Sequence, residues 1–271
     1  MASPSANLRA IGFCGVDDSV SPQLLRILSD KYPWVEWAVL FRTDLEGQPR
    51  YPTWAWVETL SSLCLEAGEA PKMRLAGHLC ADRCQEVLEG KSAFVLQLHA
   101  LGYRRVQVNA TAANSVSVDP SRLAEYAQNI RNCMLDAPEV EFIIQCNAET
   151  QPIYQQLLDA PEPNMSILYD ASCGKGVRVS SFPSPALFPI PCGYAGGIGP
   201  DCIADILAGV AAATASCPDQ PVWIDMESSL RTVVVEKQGG QGQVQEVRRD
   251  VFSIDKAFAC ILAATKFGMS S

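Results

Sequence analysis

The sequence predicts an α/β protein in which eight parallel strands close into a single (β/α)8 barrel. Short apolar runs alternate with longer segments of helical period along the chain, and there are eight such runs in 271 residues. This length suits a barrel of eight units, and strand–helix alternation indicates a parallel sheet with right-handed crossovers. No linker or block of charge divides the chain, so we expect residues 1–271 to form one domain.

Each strand candidate has about the length of a buried strand. Several are nearly continuous in apolar residues, as parallel strands covered on both faces should be. The candidates are Arg9–Gly15, Val35–Arg42, Met73–His78, Arg104–Ala110, Val140–Cys146, Ser166–Ala171, Ile190–Ala195 and Pro221–Met226.

Helix starts are marked by a cap residue, in most cases followed by proline. The starts are Ser21-Pro22, Asp119-Pro120, Gly199-Pro200 and, for the final helix, Ser253. The sixth unit differs, because Val177–Ile190 carries three prolines and no helical period. We expect a degenerate sixth helix there, reduced to a loop or a single turn.

An additional segment, residues 231–250, separates the eighth strand from its helix. The runs Thr232–Glu236 and Gln243–Val247 flank the glycine-rich Gln238–Gly242. This pattern predicts a β-hairpin inserted after strand 8.

Charge and cysteine content exclude several classes of partner. The net charge is −9 and no basic stripe is present, which argues against nucleic acid and anionic membranes. No apolar run approaches the ~20 residues that a membrane span needs, and the N-terminus lacks a hydrophobic signal core. Eleven cysteines lie within apolar stretches, as buried free thiols do in a reducing compartment. We therefore expect a cytoplasmic protein.

A glycine loop follows the seventh strand. Gly196 and Gly197 allow close approach of a ligand, and the helix beyond offers free amides and the positive end of its dipole. Barrels of this kind commonly bind phosphate after the seventh and eighth strands. The loop therefore predicts a small phosphorylated partner, although a tight turn would also require glycine. Ser228 and Ser229 either complete the phosphate site or cap a short turn.

Two proton-transfer candidates lie at strand ends. Cys14 ends the first strand and Asp170 ends the sixth, so both belong to the C-terminal rim. An acid and a base on opposite sides of a sugar can drive an isomerisation. A thiol acts as a base only if its pKa is lowered from about 8.5, and otherwise Cys14 is a packed small hydrophobe.

Metal binding is not expected. His78, Cys80 and Cys84 offer ligands after the third strand, but no second cluster completes a tetrahedral site. His78 lies on the rim and is a candidate for substrate contact. We expect no metal and no cofactor.

The motifs together resemble a known family. Phe13–Gly15, Val106–Ala110, Asp170 with its glycines, Ala195–Pro200 and Asp225–Ser228 are similar, in this order, to segments of phosphoribosylanthranilate isomerase of tryptophan biosynthesis. The similarity extends from Arg9 to Phe267.

The resemblance implies a TIM barrel that catalyses an Amadori rearrangement, an aldose–ketose type of isomerisation. Cys14 would be the general base and Asp170 the general acid. The family binds the substrate carboxylate through an arginine after strand 2. Arg50 is similar in position, and Arg42 is the competitor. Either arginine is otherwise a solvated loop charge.

The chain also departs from the family pattern. The departures are Glu227 for serine, Ser229 for glycine, Arg231 for glutamate, Asn109 for histidine, and the hairpin. Two alternatives therefore stay open: a different enzyme on the same phosphate-binding barrel, and a binding protein that has lost turnover.

Overall fold

The structure is a computed structural model that describes residues 7–65, 70–179, 181–240 and 243–270. Eight strands form a closed barrel in which each strand pairs in parallel with the next and the eighth pairs with the first. Strands β1–β8 are Leu8–Cys14, Val35–Phe41, Arg74–Leu79, Arg105–Val108, Glu141–Cys146, Met165–Tyr169, Cys192–Tyr194 and Val222–Met226. The predicted (β/α)8 barrel is confirmed, and the strand ends shift by a residue or two.

Helices cover the outside of the barrel. In the described ranges these helices, α1–α8, are Pro22–Lys31, Trp54–Cys64, Ala81–Leu88, Ala93–Ala100, Leu123–Asp136, Gln151–Leu158, Ile203–Thr214 and Ile254–Phe267. The third unit has two helices, α3 and α4. Between β6 and β7 the described residues form only the 3-10 turn Pro185–Leu187, as the prolines predicted.

The predicted cap of the last helix is present, whereas the Ser21 side chain makes no cap hydrogen bond at the start of α1. The Ser253 hydroxyl accepts a hydrogen bond from the Lys256 amide at the start of α8. Gly199-Pro200 forms a turn rather than the first residues of a helix, and α7 begins at Ile203. The Gly199 carbonyl oxygen accepts the Ile203 amide at 2.9 Å.

A buried ionic cluster fills the N-terminal end of the barrel. The Arg105 guanidinium donates to Glu36 at 2.6 Å and to Glu141 at 3.1 Å. It also lies over the ring of Trp223, 4.2 Å from the centroid, and Arg9 pairs with Glu141. Because buried charges are tolerated only when paired, this cluster closes the end opposite the predicted site.

The inserted segment is an antiparallel hairpin of β9, Arg231–Gly240, and β10, Gln243–Phe252. Residues 241 and 242, in the predicted glycine turn, lie outside the described residues. The buried Arg231 ties the hairpin to the loop after β1, donating to the Gly15 carbonyl and the Asp17 carboxylate, each at 2.8 Å. The hairpin is therefore fastened beside the end of β1.

All eleven cysteines are free thiols, and nine of them are buried. Within the described ranges, every helix is too short or too polar to cross a bilayer.

Candidate functional site

A cavity opens at the C-terminal ends of the barrel strands, where barrels of this type carry their sites. The space between its walls, including the part open to solvent, is about 570 Å³. The predicted residues that line it are Gly196, Gly197, Ser228, Ser229 and Asp170. In the described part of the chain, Cys14, Arg42 and Arg50 lie outside this lining.

The glycine loop is covered by the segment that follows β6. A Cβ atom at Gly197 would lie 2.5 Å from the Arg178 amide nitrogen, and the Gly196 carbonyl oxygen accepts the Val179 amide at 3.3 Å. Both glycines have positive φ, 119° at Gly196 and 60° at Gly197. The close approach of the two loops therefore requires glycine at both positions, whether or not a ligand binds there.

Backbone donors are left over in the same loop. The amides of Gly196, Gly197 and Ile198 have no hydrogen-bond acceptor among the residues that the structure describes. All three residues line the cavity, and they precede the first turn of α7. Unpaired amides near a helix N-terminus suit an anion.

The two serines lie next to the glycine loop, because β7 and β8 are neighbouring strands and a Cβ atom at Gly199 would overlap the Ser229 side chain. They begin the 3-10 turn Ser228–Leu230 directly after β8. A Cβ atom at Gly176 would lie 2.9 Å from the Ser228 hydroxyl oxygen, so this serine contacts the segment after β6. Neither serine hydroxyl is hydrogen-bonded to a described residue. The hydroxyls and the loop amides therefore form one set of unused donors.

Asp170 accepts four hydrogen bonds. They come from the Ser172 amide and hydroxyl at 3.0 and 2.6 Å, the Gly174 amide at 2.7 Å and the Gln145 side chain at 3.0 Å. Both carboxyl oxygens therefore act as acceptors, Oδ1 toward Ser172 and Oδ2 toward Gly174 and Gln145. The same bonds fix the loop that runs from Asp170 toward the glycines.

Cys14 lies beneath the cavity. Its Sγ atom is 3.1 Å from Nδ1 of His78, which does line the cavity. Burial raises the pKa of the Cys14 thiol well above its usual value, and Glu227 and Asp225 raise it further. A thiolate base needs the opposite shift. The role of Cys14 as base stays a prediction, which these surroundings do not favour.

His78 is held in its neutral form. Burial, and after it the nearby Arg105, lowers the pKa of the imidazole to about 3. The ring can therefore exchange hydrogen bonds with Cys14 and with a ligand without carrying charge at neutral pH.

Asp225 is a cavity residue whose role the sequence did not indicate. Its carboxyl group has no hydrogen-bond partner among the described residues, and it is 8% exposed. Burial raises its pKa well above the usual value, with Glu36 and Glu227 adding to the effect. The group therefore tends to keep its proton at pH values where an ordinary aspartic acid has lost it.

Amide side chains line the cavity beside these carboxyl groups. Gln107 donates to Asn109 at 2.7 Å, and Gln145 donates to Asp170. The Oε1 atoms of Gln107 and Gln145 are buried and have no donor in the described chain. A signal for these residues was present in the sequence, because Gln107 and Gln145 each stand between apolar residues of a strand.

Arg50 is close to the cavity but already paired. Its Nη1 atom donates to Glu227 Oε1 at 2.7 Å, and its Nε atom lies 3.5 Å from Asp250 of the hairpin. Arg50 has a positive φ of 79°, and its amide donates to Asp17 at 2.7 Å. Glu227 lines the cavity, and its negative charge is compensated there by the guanidinium of Arg50.

Arg42 lies outside this arrangement. Its guanidinium forms two bonds with Asp44, at 2.6 and 2.9 Å, and a third with Ser115 at 2.8 Å. Of the two arginines that were candidates for binding a substrate carboxylate, Arg50 contacts a residue of the cavity lining, whereas the hydrogen-bond partners of Arg42 lie outside the lining.

Among the described residues, no group of three or more His, Cys, Asp or Glu side chains is placed so that it could hold a metal ion.

Comparisons with known proteins agree on the fold. No protein-family model matches the sequence, and no curated protein matches it. The solved structures include phosphoribosylanthranilate isomerase from Thermotoga maritima, with 13% identity and a TM-score of 0.51, covering 95% of this chain and 99% of that one. A second is phosphoribosylanthranilate isomerase in complex with reduced 1-(o-carboxyphenylamino)-1-deoxyribulose 5-phosphate, with 13% identity and a TM-score of 0.50, covering 96% and 100%. At this identity, the likeness shows that the chain shares the (β/α)8 barrel fold of these enzymes.

Proposed function

We propose that this chain binds a sugar phosphate at the C-terminal end of the barrel and interconverts its aldose and ketose forms by proton transfer. The observation that carries the proposal is the contrast between two carboxyl groups in one cavity. Asp170 accepts four hydrogen bonds, whereas Asp225 has no such partner in the described chain and a raised pKa. Environments that differ in this way separate a base from an acid.

The unpaired amides and hydroxyls of the cavity support the proposal that the ligand carries a phosphate group. Gly196, Gly197 and Ile198, whose amides are unpaired in the described chain, line the same cavity as Ser228 and Ser229. Five backbone or hydroxyl donors around one space match the oxygens of a phosphate group, which needs no cationic side chain in such a site.

The reaction follows from the two carboxyl groups. Asp170, as the carboxylate, removes the proton from the carbon beside the carbonyl group, while Asp225 gives its proton to the carbonyl oxygen. The enediol that results regains a proton from Asp170 on the former carbonyl carbon. The neighbouring hydroxyl then returns its proton to Asp225, which leaves a ketose and restores both groups. No oxidant or second substrate is consumed.

A binding protein without turnover is the second candidate. The observation that favours it is the burial of Cys14 and the raised pKa of its thiol, because the family resemblance gives that residue the role of base. Such a protein would bind the phosphate compound and leave its carbon-bound protons in place.

Solvent-deuterium exchange separates the two candidates. Ribose 5-phosphate is incubated with the protein in D₂O, and NMR follows both deuterium at C2 and the appearance of ribulose 5-phosphate. Phosphoribosylanthranilate is tested in parallel, with fluorescence as the readout. Isomerisation with exchange is expected from the parent protein, whereas binding without either signal would favour the binding protein.

Variants then assign the roles. Asp170→Asn and Asp225→Asn are each expected to reduce turnover by about 10²–10⁴-fold. Asp219→Asn is the matched control, since Asp219 is exposed and precedes β8 at the other end of the barrel. Cys14→Ser is expected to reduce turnover less than tenfold. A loss in Cys14→Ser as large as that in Asp170→Asn would return the base role to the thiol.

A further inference from the structure

Arg50 reaches Glu227, a residue of the cavity lining, and its guanidinium is paired on two sides. The Arg50 guanidinium donates to Glu227 at 2.7 Å and lies 3.5 Å from Asp250. A charge-assisted hydrogen bond of this length is among the stronger polar contacts in proteins. A carboxylate on a ligand would therefore have to displace Glu227 before it could reach Arg50.

Lysine and arginine are absent from the described residues that line the cavity, which include the carboxyl groups of Asp170, Asp225 and Glu227. Arg42 is bound to Asp44 and Ser115. Apart from the donors that suit one phosphate group, an anionic ligand group would meet carboxyl groups and repulsion.

Uncharged polar groups dominate the rest of the lining. Gln107, Asn109, Gln145 and the neutral His78 lie there, and the Oε1 atoms of Gln107 and Gln145 lack a donor in the described chain. A buried acceptor without a donor is costly, and a ligand hydroxyl can satisfy it. A benzene ring has no hydroxyl groups to offer to these oxygens.

We infer that the cavity takes an open-chain, polyhydroxylated phosphate whose only anionic group is the phosphate, and that Glu227 excludes a second anionic group by holding Arg50. The inference rests on the proposed phosphate site and names its substrate class. Glu227 then stands where a ligand carboxylate would otherwise bind.

Calorimetry with four probes tests this inference. They are inorganic phosphate, ribose 5-phosphate, reduced 1-(o-carboxyphenylamino)-1-deoxyribulose 5-phosphate, and the same compound without its carboxylate. The parent protein should bind ribose 5-phosphate at least tenfold more tightly than the carboxylated probe. The probe without the carboxylate should fall between them, because it keeps the ring but loses the repulsion.

Glu227→Gln should release Arg50 and change this order. Affinity for the carboxylated probe should rise at least tenfold more than affinity for ribose 5-phosphate, because only the carboxylated probe gains the released guanidinium. The double variant Arg50→Gln/Glu227→Gln removes the cation, and it should lose the gain. Glu227→Ser serves as a second release variant if Glu227→Gln does not fold, as judged by its thermal transition.

The outcomes test this inference separately from the proposed isomerase function. A parent protein that binds the carboxylated probe as tightly as ribose 5-phosphate, or a Glu227→Gln variant with no gain, would overturn the inference and leave the isomerase proposal standing. Binding of ribose 5-phosphate in the expected order without turnover would support the inference and contradict the isomerase. If none of the four probes binds, the proposed phosphate site is wrong, and both the isomerase proposal and this inference are contradicted.

Discussion

The carboxyl group of Asp225 occupies the space that a side chain at Gly12 would need. The two residues are register partners on β1 and β8, and a Cβ atom at position 12 would lie less than 3.0 Å from Asp225 Oδ1. Contacts that short do not occur, so glycine at this position is what allows the carboxyl group to lie at the floor of the cavity.

Gly12→Ala should therefore move the Asp225 carboxyl group. Turnover is expected to fall at least tenfold, because an acid displaced by about an ångström no longer meets the carbonyl oxygen. Phosphate affinity should change less than twofold, since the loop amides lie on other strands. Gly209→Ala on the outer helix α7 is the control and should leave turnover unchanged. Full turnover in Gly12→Ala would remove Asp225 from the mechanism.

Asp225→Asn should stabilise the protein increasingly as pH rises. The folded-state pKa of Asp225 is raised. Its stabilising protonated form is fully present below the unfolded pKa and is lost as pH rises through the folded pKa. The parent then loses about 1.4 kcal/mol for each pH unit between these two pKa values, and asparagine does not titrate. Urea unfolding at pH 4 and pH 8 measures the difference, and an equal difference at both pH values would contradict the prediction.

His78→Gln should reduce the loss of folding stability that the parent protein shows as pH falls. The pKa of His78 is lowered to about 3, so the unfolded chain binds the extra proton first as pH falls below about 6.5. Between these values the parent should lose up to about 1.4 kcal/mol for each pH unit. The check is the free energy of unfolding at pH 6.5 and pH 4.5 in both proteins. Parallel losses in the two would show that another group is responsible.

Ser228→Ala and Ser229→Ala should weaken phosphate binding without destabilising the fold. Their hydroxyls form no hydrogen bonds with described residues, so removing them breaks no internal contact. Each is expected to reduce affinity for inorganic phosphate by about threefold to tenfold, the equivalent of one hydrogen bond. Calorimetry gives the affinity and thermal unfolding gives the stability. Ser216→Ala, at an exposed position before β8, is the control. Unchanged affinity in both variants would place the phosphate elsewhere.

Arg231→Met should destabilise the protein strongly. The change leaves the buried Asp17 carboxylate without its guanidinium, and breaking such a pair typically costs about 3–5 kcal/mol. The double variant Asp17→Asn/Arg231→Met should recover part of the loss, because no buried charge is left alone. Chemical unfolding of the parent, Asp17→Asn, Arg231→Met and the double variant completes the cycle. A double variant less stable than Arg231→Met would contradict this explanation.

The barrel was predictable because its signals are local. Apolar runs of strand length, three prolines in Val177–Ile190 and the hairpin pattern are each read within a few residues, and each element is present in the structure. The order of units along the chain then fixes which strand ends share a rim. The positions of Gly196, Ser228 and Asp170 in one cavity follow from that order.

The electrostatics of the site were not predictable, because they depend on pairs far apart in the sequence. Arg50 and Glu227 are 177 positions apart, and nothing near either residue indicates that they pair. The raised pKa of Cys14 is likewise set by burial and by two carboxyl groups of β8 and its loop. Asp225 is distinguished by lacking a partner, which only the folded chain reveals.

The clamp between Arg231 and Asp17 has a consequence for how the chain is made. These residues are 214 positions apart, and they join the segment after the last barrel strand to the loop after the first. During synthesis the outer edge of β1 stays open until β8 leaves the ribosome, and open strand edges invite pairing with other chains. Arg231, whose guanidinium binds Asp17, is translated only a few residues after the end of β8. Closure of the barrel and formation of this ion pair are therefore nearly simultaneous, and both wait until all eight barrel strands have been translated.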